Sequence, residues 1–472
     1  MTDYGKPLIH RETGIDGLTL WDLPVHGDSR GWFKENWQRA KMTAEGLPDF
    51  GPVQNNVSFN DAVGTTRGIH AEPWDKWVSV AAGRIFGAWV DLREGPGFGR
   101  VFTAELDPSV AIFVPRGVGN SYQTLEPDTA YTYLVNDHWS PDAAYSFVNL
   151  GDPALAVPWP IPLSDAEVSA KDLAHPPLAD VTPIAPRRIL VVGAGGQLGR
   201  ALRDGFEGAA HVEFAARGDL DLTAPDLASA RRWRDYSAIV NAAAYTAVDL
   251  AETPDGRRDA WAANVTGVAA LARVAADNGL TLVHVSSDYV FDGAAGRPYR
   301  EDDPVSPLGV YGQTKAAGDA AASTAPRHYI VRTSWVIGEG RNFVRTMAGL
   351  AERGIAPSVV SDQVGRLSFT TEIARGIRHL LDTEAPYGVY NLTGGGPASS
   401  WADVARAVFS GVGADPSQVT DVTTQEYFAA ATGPVAPRPL NSLLDLSRIE
   451  ATGFVPRDAA DSLREYLSAL PR

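Results

Sequence analysis

The 472-residue chain contains no cysteine. Disulfides, thiolate metal sites and cysteine nucleophiles are therefore excluded. No stretch reaches the roughly 18 apolar residues that a membrane helix needs, and the N-terminal MTDYGKPLIHRETGIDGL lacks the apolar core of a signal peptide. Positive charge is in deficit: 41 Lys and Arg against 57 Asp and Glu leave a net charge of −16. Nucleic acid and anionic membranes are poor partners for such a surface. An anionic small molecule is still compatible if basic side chains line its pocket. These absences fit a cytoplasmic enzyme. With 44% hydrophobic and 21% charged residues the chain reads as soluble and globular, and its length demands at least two cores.

Two textures meet near residue 185. Residues 1–160 carry short apolar runs (KWVSVAAG, IFGAWVDL, AIFVP, AYTYLV) punctuated by Gly, Pro and Asp. This is the pattern of an antiparallel all-β sandwich or jelly roll. Pro176, Pro177, Pro183 and Pro186 then fall in a stretch without periodicity, which predicts a linker or extended strap. Beyond it, the apolar runs RRILVVGAGG, AIVNAAA, LTLVHVSS and HYIVRTSW alternate with Ala-rich helical stretches. That alternation predicts a doubly wound parallel sheet of Rossmann type. The expected division is a β domain over 1–175, a linker over 176–187 and an α/β domain over 188–472.

In the second domain, Gly193-Ala-Gly195-Gly196-Gln197-Leu198-Gly199 follows a strand and opens a helix. Glycines there allow a tight turn and close approach of backbone to a pyrophosphate, and the helix N-terminus offers free N–H groups. A glycine turn alone is weak evidence; the order strand, glycines, helix strengthens it. Arg217, after the second apolar run, is either a partner for the 2′-phosphate of NADP or a surface arginine. Asp221 either lies near the adenine or caps a helix.

Tyr311 and Lys315 are four residues apart and share a helix face. A neighbouring ammonium favours the phenolate, which brings a tyrosine toward useful acid strength. Ser287 ends the run LTLVHVSSD and is placed to hydrogen-bond the same carbonyl oxygen. Ser287, Tyr311 and Lys315 thus form a candidate carbonyl-reducing centre.

With these residues in place, 187–472 resembles dTDP-4-dehydrorhamnose reductase, an extended short-chain dehydrogenase/reductase. The matching stretches include VVGAGGQLG, NAAAYTAVDLAE, SSDYVFDG, YGQTK, RTSW and DQVGR. The resemblance implies NADPH or NADH as cofactor and Ser287, Tyr311 and Lys315 as catalytic residues. It also implies cofactor contacts at Gln197, Leu198, Ala242, Ala243, Ala244 and Tyr245, beside Gly193, Gly195, Gly196 and Gly199. Serine replaces the family's usual threonine at 287, and DQVGRLS replaces DQxGRPT, a change expected to reshape a substrate-side loop. Asp249 and Glu252 read best as solvated carboxylates of a helix start. Arg438 resembles a segment near the substrate.

The first half holds an unusual cluster: Arg30-Gly-Trp-Phe33-Lys-Glu35, Gln54-Asn-Asn56, Arg67-Gly-Ile-His70 and Lys76. A histidine can remove a proton beside a ketone if the enolate oxygen is stabilised, and Lys76 is a candidate for that. A carboxylate behind His70 would fix its tautomer. A tyrosine on the opposite face would return a proton to the other side. Arg30 and Arg67 suit a diphosphate.

This half resembles dTDP-4-dehydrorhamnose 3,5-epimerase, a metal-independent cupin-type jelly roll, through DSRGWFKENW, VQNNVSFN, TRGIHAEPWDKWVSVAAGRIFGAWVDLR, FVPRGVGNSYQTLE and YTYLVNDHWSP. The resemblance implies His70 as base, Asp152 as its carboxylate and Tyr133 as the opposite acid. Lys76, Arg30, Phe33, Glu35, Gln54, Asn56 and Arg67 match substrate contacts. Asn120 replaces a family histidine where a sugar or phosphate contact is expected, and HAE replaces HYQ. No metal is expected. A metal-cupin alternative through His70 and Glu72 finds no clustered support from His138 or His175.

The two resemblances are consecutive: epimerisation of dTDP-4-dehydro-6-deoxy-D-glucose, then reduction of its C4 ketone. The expected partner is a dTDP-sugar, and the expected assembly is a homodimer. Alternatives are a reductase fused to a non-catalytic sugar-nucleotide-binding cupin, a pair acting on another dTDP-6-deoxyhexose, and a regulatory NADP-binding subunit.

Overall fold

The computed structural model describes residues 5–141 and 143–470. It divides into two compact units, Met1–Pro186 and Arg187–Arg472.

The first unit is built from two mainly antiparallel sheets, the second with the short strand Glu167–Val168 added parallel to Thr65–Ala71. One contains Ile9–Glu12, Thr19–Asp22, Val110–Val114, Lys76–Ala82, Thr129–Val135 and Gln54–Asn60, in that spatial order. The other runs Ser146–Phe147, Thr65–Ala71, Val118–Thr124, Ile85–Asp91 and Val101–Leu106. Val78, Val80, Ile112 and Tyr131 of the first sheet pack with Ile85, Trp89, Leu106 and Tyr122 of the second in one buried cluster. This is sandwich packing of two inner faces. Ile85–Asp91 is buried at every residue, so its alternation is lost. Its second face is covered as well, because Val90 and Leu92 pack with Val148, Leu150, Leu155, Val181 and Ile184.

That covering corrects the linker expectation. Residues 176–184 are a strap held on the β unit, not a free connector. Leu178–Asp180 forms a short 3₁₀ turn. The Ile184 N–H donates to the Leu92 carbonyl at 2.7 Å, and Val181 and Ile184 are buried. Apolar residues spaced among prolines have no helical or strand period, so periodicity could not place them.

The second unit holds a six-stranded parallel sheet ordered Val212–Ala215, Arg188–Val192, Tyr236–Asn241, Thr281–Ser287, His328–Thr333 and Gly388–Asn391. Helices Gln197–Gly205 and Thr370–Asp382 cover one face and Gly267–Asn278 and Val310–Ala322 the other. Both faces being covered, the strands read as near-continuous apolar runs. The chain reverses direction across the sheet at Arg188–Val192, the first strand, and a ligand crevice is expected beyond its carboxyl end. A smaller cluster around Val344, Phe409 and Leu463 packs helices Phe343–Glu352, Trp401–Gly411 and Ala459–Ser468 together. No helix among the described residues is long and apolar enough to cross a membrane.

Candidate active sites

In the β unit, His70 lies on strand Thr65–Ala71 and is about one-third exposed. Its Nε2 is 2.9 Å from Oδ1 of Asp172. Asp172 sits in the four-residue helix Ala170–Leu173, whose N-cap Ser169 accepts from the Asp172 N–H at 3.0 Å. Asp172 is buried, so its charge is held close to the imidazole with little solvent between. The carboxylate behind His70 is therefore Asp172, not Asp152. Asp152 is used locally: Oδ1 accepts from the Ala154 N–H at 2.8 Å and Oδ2 from the Leu178 N–H at 2.5 Å. The second of these bonds ties down the strap, and neither reaches His70. His175, set aside in the sequence, is also in this cluster, with its ring 5.3 Å from that of His70.

Lys76 starts the strand Lys76–Ala82 and is almost fully buried, paired with Glu72. Glu72 thus serves Lys76, which removes it from the metal-cupin alternative. The Lys76 ammonium stands 5.9 Å from the Tyr133 ring centroid. Burial, then the Glu72 charge, pushes the Tyr133 phenol above its ordinary range. It therefore keeps its proton at neutral pH, as an acid must. Asn120 lies opposite His70 in the strand pairing. Its Oδ1 accepts from the Trp89 indole at 2.9 Å and from the Tyr131 hydroxyl at 3.1 Å. That oxygen is spent on the core, leaving only the amide N–H₂ for a ligand. Gly68 permits a close approach: with φ +120°, a Cβ there would lie 2.6 Å from Cβ of Ser121.

The expected substrate contacts are less gathered. Gln54 and Asn56 share the edge strand with Tyr133 as neighbour, and Gln54 Nε2 donates to Asn56 Oδ1 at 2.7 Å. Arg67 is exposed and donates to Asn60 Oδ1 at 3.2 Å. Arg30, Phe33 and Glu35 fall on or beside a separate hairpin, Val25–Asp28 with Gly31–Lys34. Arg30 pairs with Asp28 and Glu35 with Lys41, and Phe33 is 66% exposed.

In the α/β unit a cavity of about 600 Å³ opens beyond the first strand. It is lined by Gly193, Gly195, Gly196, Arg217, Asp221, Ala242, Ala243, Ala244 and Tyr245, with Asp259, Ala262 and Ala263 added from the following helical segment. A Cβ on Gly199 would lie 2.3 Å from the Gly193 carbonyl, so only glycine lets the helix sit this close to the turn. Gly195 faces open space, and Gly196 caps the helix with no side-chain bond. The first N–H groups are left for a ligand. The residues present fit a dinucleotide. Gln197 and Leu198 are not on the lining: Gln197 Nε2 donates to the Arg341 carbonyl at 3.1 Å, and Leu198 packs on the core. What they offer is backbone. Asp221 caps no helix; it closes a turn at the edge of the cavity. It lines the cavity and accepts from the Thr223 N–H and hydroxyl at 2.9 and 2.8 Å.

Ser287 ends strand Thr281–Ser287 and donates to Asp288 Oδ1 at 2.9 Å. Burial pushes the Asp288 carboxyl up to about 6. Tyr311 and Lys315 lie on helix Val310–Ala322, and Tyr311 packs on the same small cluster, Ala251, Ala260 and Val310, as Tyr245 of the cavity lining. Burial, with Asp288 and Tyr289, pushes the Tyr311 phenol well up, while the Ser287 hydroxyl pulls the other way. The expected lowering by Lys315 is not seen. Its ammonium donates to the Val285 carbonyl at 2.7 Å and is itself lowered to about 8 by burial, with Asp319 opposing.

Asp249 and Glu252 are not merely solvated. Glu252 Oε1 accepts from the Val310 N–H at 2.8 Å, capping the helix that carries Tyr311. Arg438 Nη2 donates to both oxygens of Asp249, at 2.8 and 2.9 Å. Arg438 also lines a second cavity of about 190 Å³ with Phe343, Val360, Trp401, Tyr427 and Phe428. The departure at Leu367-Ser368 falls in the core: both residues are buried, and the Ser368 N–H donates to the Trp335 carbonyl at 3.1 Å.

The family described as RmlD substrate binding domain matches residues 187–471. The chain belongs to the RmlD family. Its first unit is matched over residues 12–180 by the dTDP-4-dehydrorhamnose 3,5-epimerase family, a span that includes Asp172 and His175. A "Protein RmlC homolog" of Streptococcus pyogenes serotype M6 is 50% identical over 39% of this chain and 98% of its own length. A dTDP-4-dehydrorhamnose reductase of Aggregatibacter actinomycetemcomitans is 38% identical over 59% of this chain and 99% of its own. A Bacillus anthracis dTDP-4-dehydrorhamnose reductase, solved in complex with NADP, is 30% identical over 60% of this chain and 99% of that one, with a TM-score of 0.55. The chain is thus a fusion of an RmlC-like epimerase unit and an RmlD-like reductase unit, an arrangement consistent with bifunctional dTDP-rhamnose biosynthesis.

Proposed function

We propose that the first unit epimerises dTDP-4-dehydro-6-deoxy-D-glucose at the carbons flanking its ketone and that the second reduces that ketone with NADPH or NADH, giving dTDP-L-rhamnose. The observation that carries this reading is the presence of both sets of groups on one chain: the His70–Asp172 pair with Tyr133 and Lys76, and Ser287, Tyr311 and Lys315 on elements next to the glycine-turn cavity.

In the first unit, His70 takes the proton alpha to the ketone through the ring nitrogen that Asp172 does not hold. Asp172 steadies the imidazolium that results. Lys76 faces the enolate oxygen, and Tyr133, kept protonated by burial, supplies a proton from the other side. In the second unit the nicotinamide cofactor, when bound, supplies the hydride. The Gly193–Gly199 turn would hold its pyrophosphate through backbone N–H groups, and Arg217 would meet a 2′-phosphate. Ser287 turns its hydroxyl from Asp288 to the ketone oxygen, and Tyr311 gives that oxygen a proton. Lys315 lends charge beside the phenolate formed.

The assembly that suits the first unit is a pair of identical chains. Gln54–Asn60 is an edge strand, and Val57 and Phe59 on it are 67% and 57% exposed. An apolar sheet edge of this kind calls for cover, and a second copy would also bring further polar groups to Gln54 and Asn56. Light scattering is expected to give twice the chain mass, and a monomer at assay concentration would refute the pairing. The proposed setting for the reactions is the cytoplasm.

The deciding experiment is incubation with the 4-keto sugar nucleotide in D₂O without cofactor, followed by NADPH and identification of the product by NMR. Deuterium at the carbons flanking the ketone and a rhamno-configured product are expected. Tyr311→Phe should lose reduction and keep exchange; His70→Ala should lose exchange and keep reduction of the epimerised ketone. Loss of both reactions in either folded variant would refute two independent centres.

A further inference from the structure

His70 and His175 converge on the same oxygen. Oδ1 of Asp172 lies 2.9 Å from His70 Nε2 and 3.8 Å from His175 Nε2. One donor atom from each of the three residues falls within 4.8 Å of the other two. A tetrahedral zinc ion with ligand bonds of about 2.0–2.2 Å needs donors roughly 3.3–3.5 Å apart, and the two measured separations straddle that value. Small side-chain rotations would equalise them.

A second observation is independent of this spacing. The His175 side chain is only 6% exposed, and neither of its ring nitrogens completes a well-formed hydrogen bond, the Gly68 backbone and the Asp172 carboxylate being its polar neighbours. A buried imidazole with its hydrogen bonds incomplete is costly, and such a group commonly marks a place for a water or ion. The Phe147 ring packs over both histidines, with centroids 5.4 and 4.9 Å away. It screens the cluster from one side. Imidazole, imidazole and carboxylate are the donors preferred by zinc and similar divalent transition ions. Magnesium and calcium would prefer oxygen.

We propose that His70, Asp172 and His175 form a binding site for a divalent transition-metal ion, and that filling it turns the epimerase unit off while leaving the reductase unit running. The inhibitory half rests on the reading of His70 as base. A neutral imidazole bound to metal through Nε2 carries its one proton on Nδ1. The nitrogen left for substrate is then a donor and cannot accept a proton. The proton that Nε2 shared with Asp172 has moved across the ring, and Asp172 is spent on the metal. His175 takes no part in the epimerisation itself. Its place is to make the pair into a three-donor set.

The test uses the full chain, freed of metal by chelator, and Co²⁺ alone as the first probe. One Co²⁺ per chain with visible d–d bands is expected, displaced by Zn²⁺. In D₂O, Zn²⁺ should slow deuterium exchange at least about tenfold, with reduction of pre-epimerised ketone unchanged in the same sample. His175→Ala should abolish the cobalt bands and raise the half-inhibiting Zn²⁺ concentration at least about tenfold, each variant being compared with its own zinc-free rate. His175→Gln, which keeps volume and polarity, serves if the alanine variant does not fold. Absence of cobalt bands in the unaltered chain, or zinc inhibition unmoved in both folded variants, would overturn the site. Cobalt bands with exchange untouched by Zn²⁺ would overturn the inhibitory half and His70 as base, and would leave the site standing.

Discussion

Replacing Lys315 by methionine separates what the ammonium does for chemistry from what it does to stability. Lys315 is 1% exposed, and burial lowers it from 10.5 to about 8. That difference corresponds to about 3 kcal/mol against keeping the charge inside the fold. Methionine fills a similar volume and removes this cost. It also leaves the Val285 carbonyl without its donor, a loss of about 1–3 kcal/mol. At pH 7 the two effects nearly cancel, so the variant should lie within about 2 kcal/mol of the unaltered chain while ketone reduction falls by roughly 10²–10⁴. The pH dependence is the sharper test. Between pH 8 and 10.5 the unfolded chain holds the Lys315 proton and the folded chain does not. Stability of the unaltered chain must therefore rise with pH, relative to the variant, by about 3 kcal/mol across that window. Paired denaturant titrations from pH 7 to 10.5 measure it. Reduction should also decline above about pH 8 as the ammonium discharges, because Tyr311, pushed well up by burial, keeps its proton throughout. Parallel stability curves for the two proteins would refute the reasoning.

Asp172→Asn should cut cofactor-free deuterium exchange by about 10²–10⁴, since the imidazolium loses its counter-charge. Asp152→Asn should leave exchange within a few-fold and cost about 1 kcal/mol in thermal unfolding, through a weakened hold on Leu178; equal losses of exchange in the two would overturn the reassignment. Gly199→Ala places a methyl 2.3 Å from the Gly193 carbonyl, and titration of cofactor fluorescence should show weaker binding with the sugar nucleotide site intact. Arg217→Ala should raise KM for NADPH at least about tenfold and barely change that for NADH, if its guanidinium meets the 2′-phosphate; a uniform change would place Arg217 among ordinary surface residues.

The reductase centre was legible because its parts are close in sequence and sit on regular elements. The glycine turn lies between a strand and a helix. Tyr311 and Lys315 are one helical turn apart, and Ser287 is the last residue of an apolar strand. The electrostatics were not legible. A lysine four residues from a tyrosine suggests a lowered phenol, yet the two groups are buried together and Lys315 is turned to Val285. Glu252 reads in the sequence as a solvated carboxylate at a helix start. That it caps a different helix, 58 residues on, is a matter of packing alone.

By itself the sequence determined two units of different class, the cofactor turn, and the residue types of both centres. Strand and helix periods and turn glycines are local properties, written within a few residues. Only the tertiary structure decided which carboxylate stands behind His70. Asp152 and Asp172 lie in the same irregular stretch, and no period distinguishes them. The choice was made by residues 148–184 as they covered the outer face of the second sheet with Val148, Leu150, Val181 and Ile184. That burial carried Asp172 and His175 across 102 and 105 positions of chain to His70, and left Asp152 to hold the strap in place.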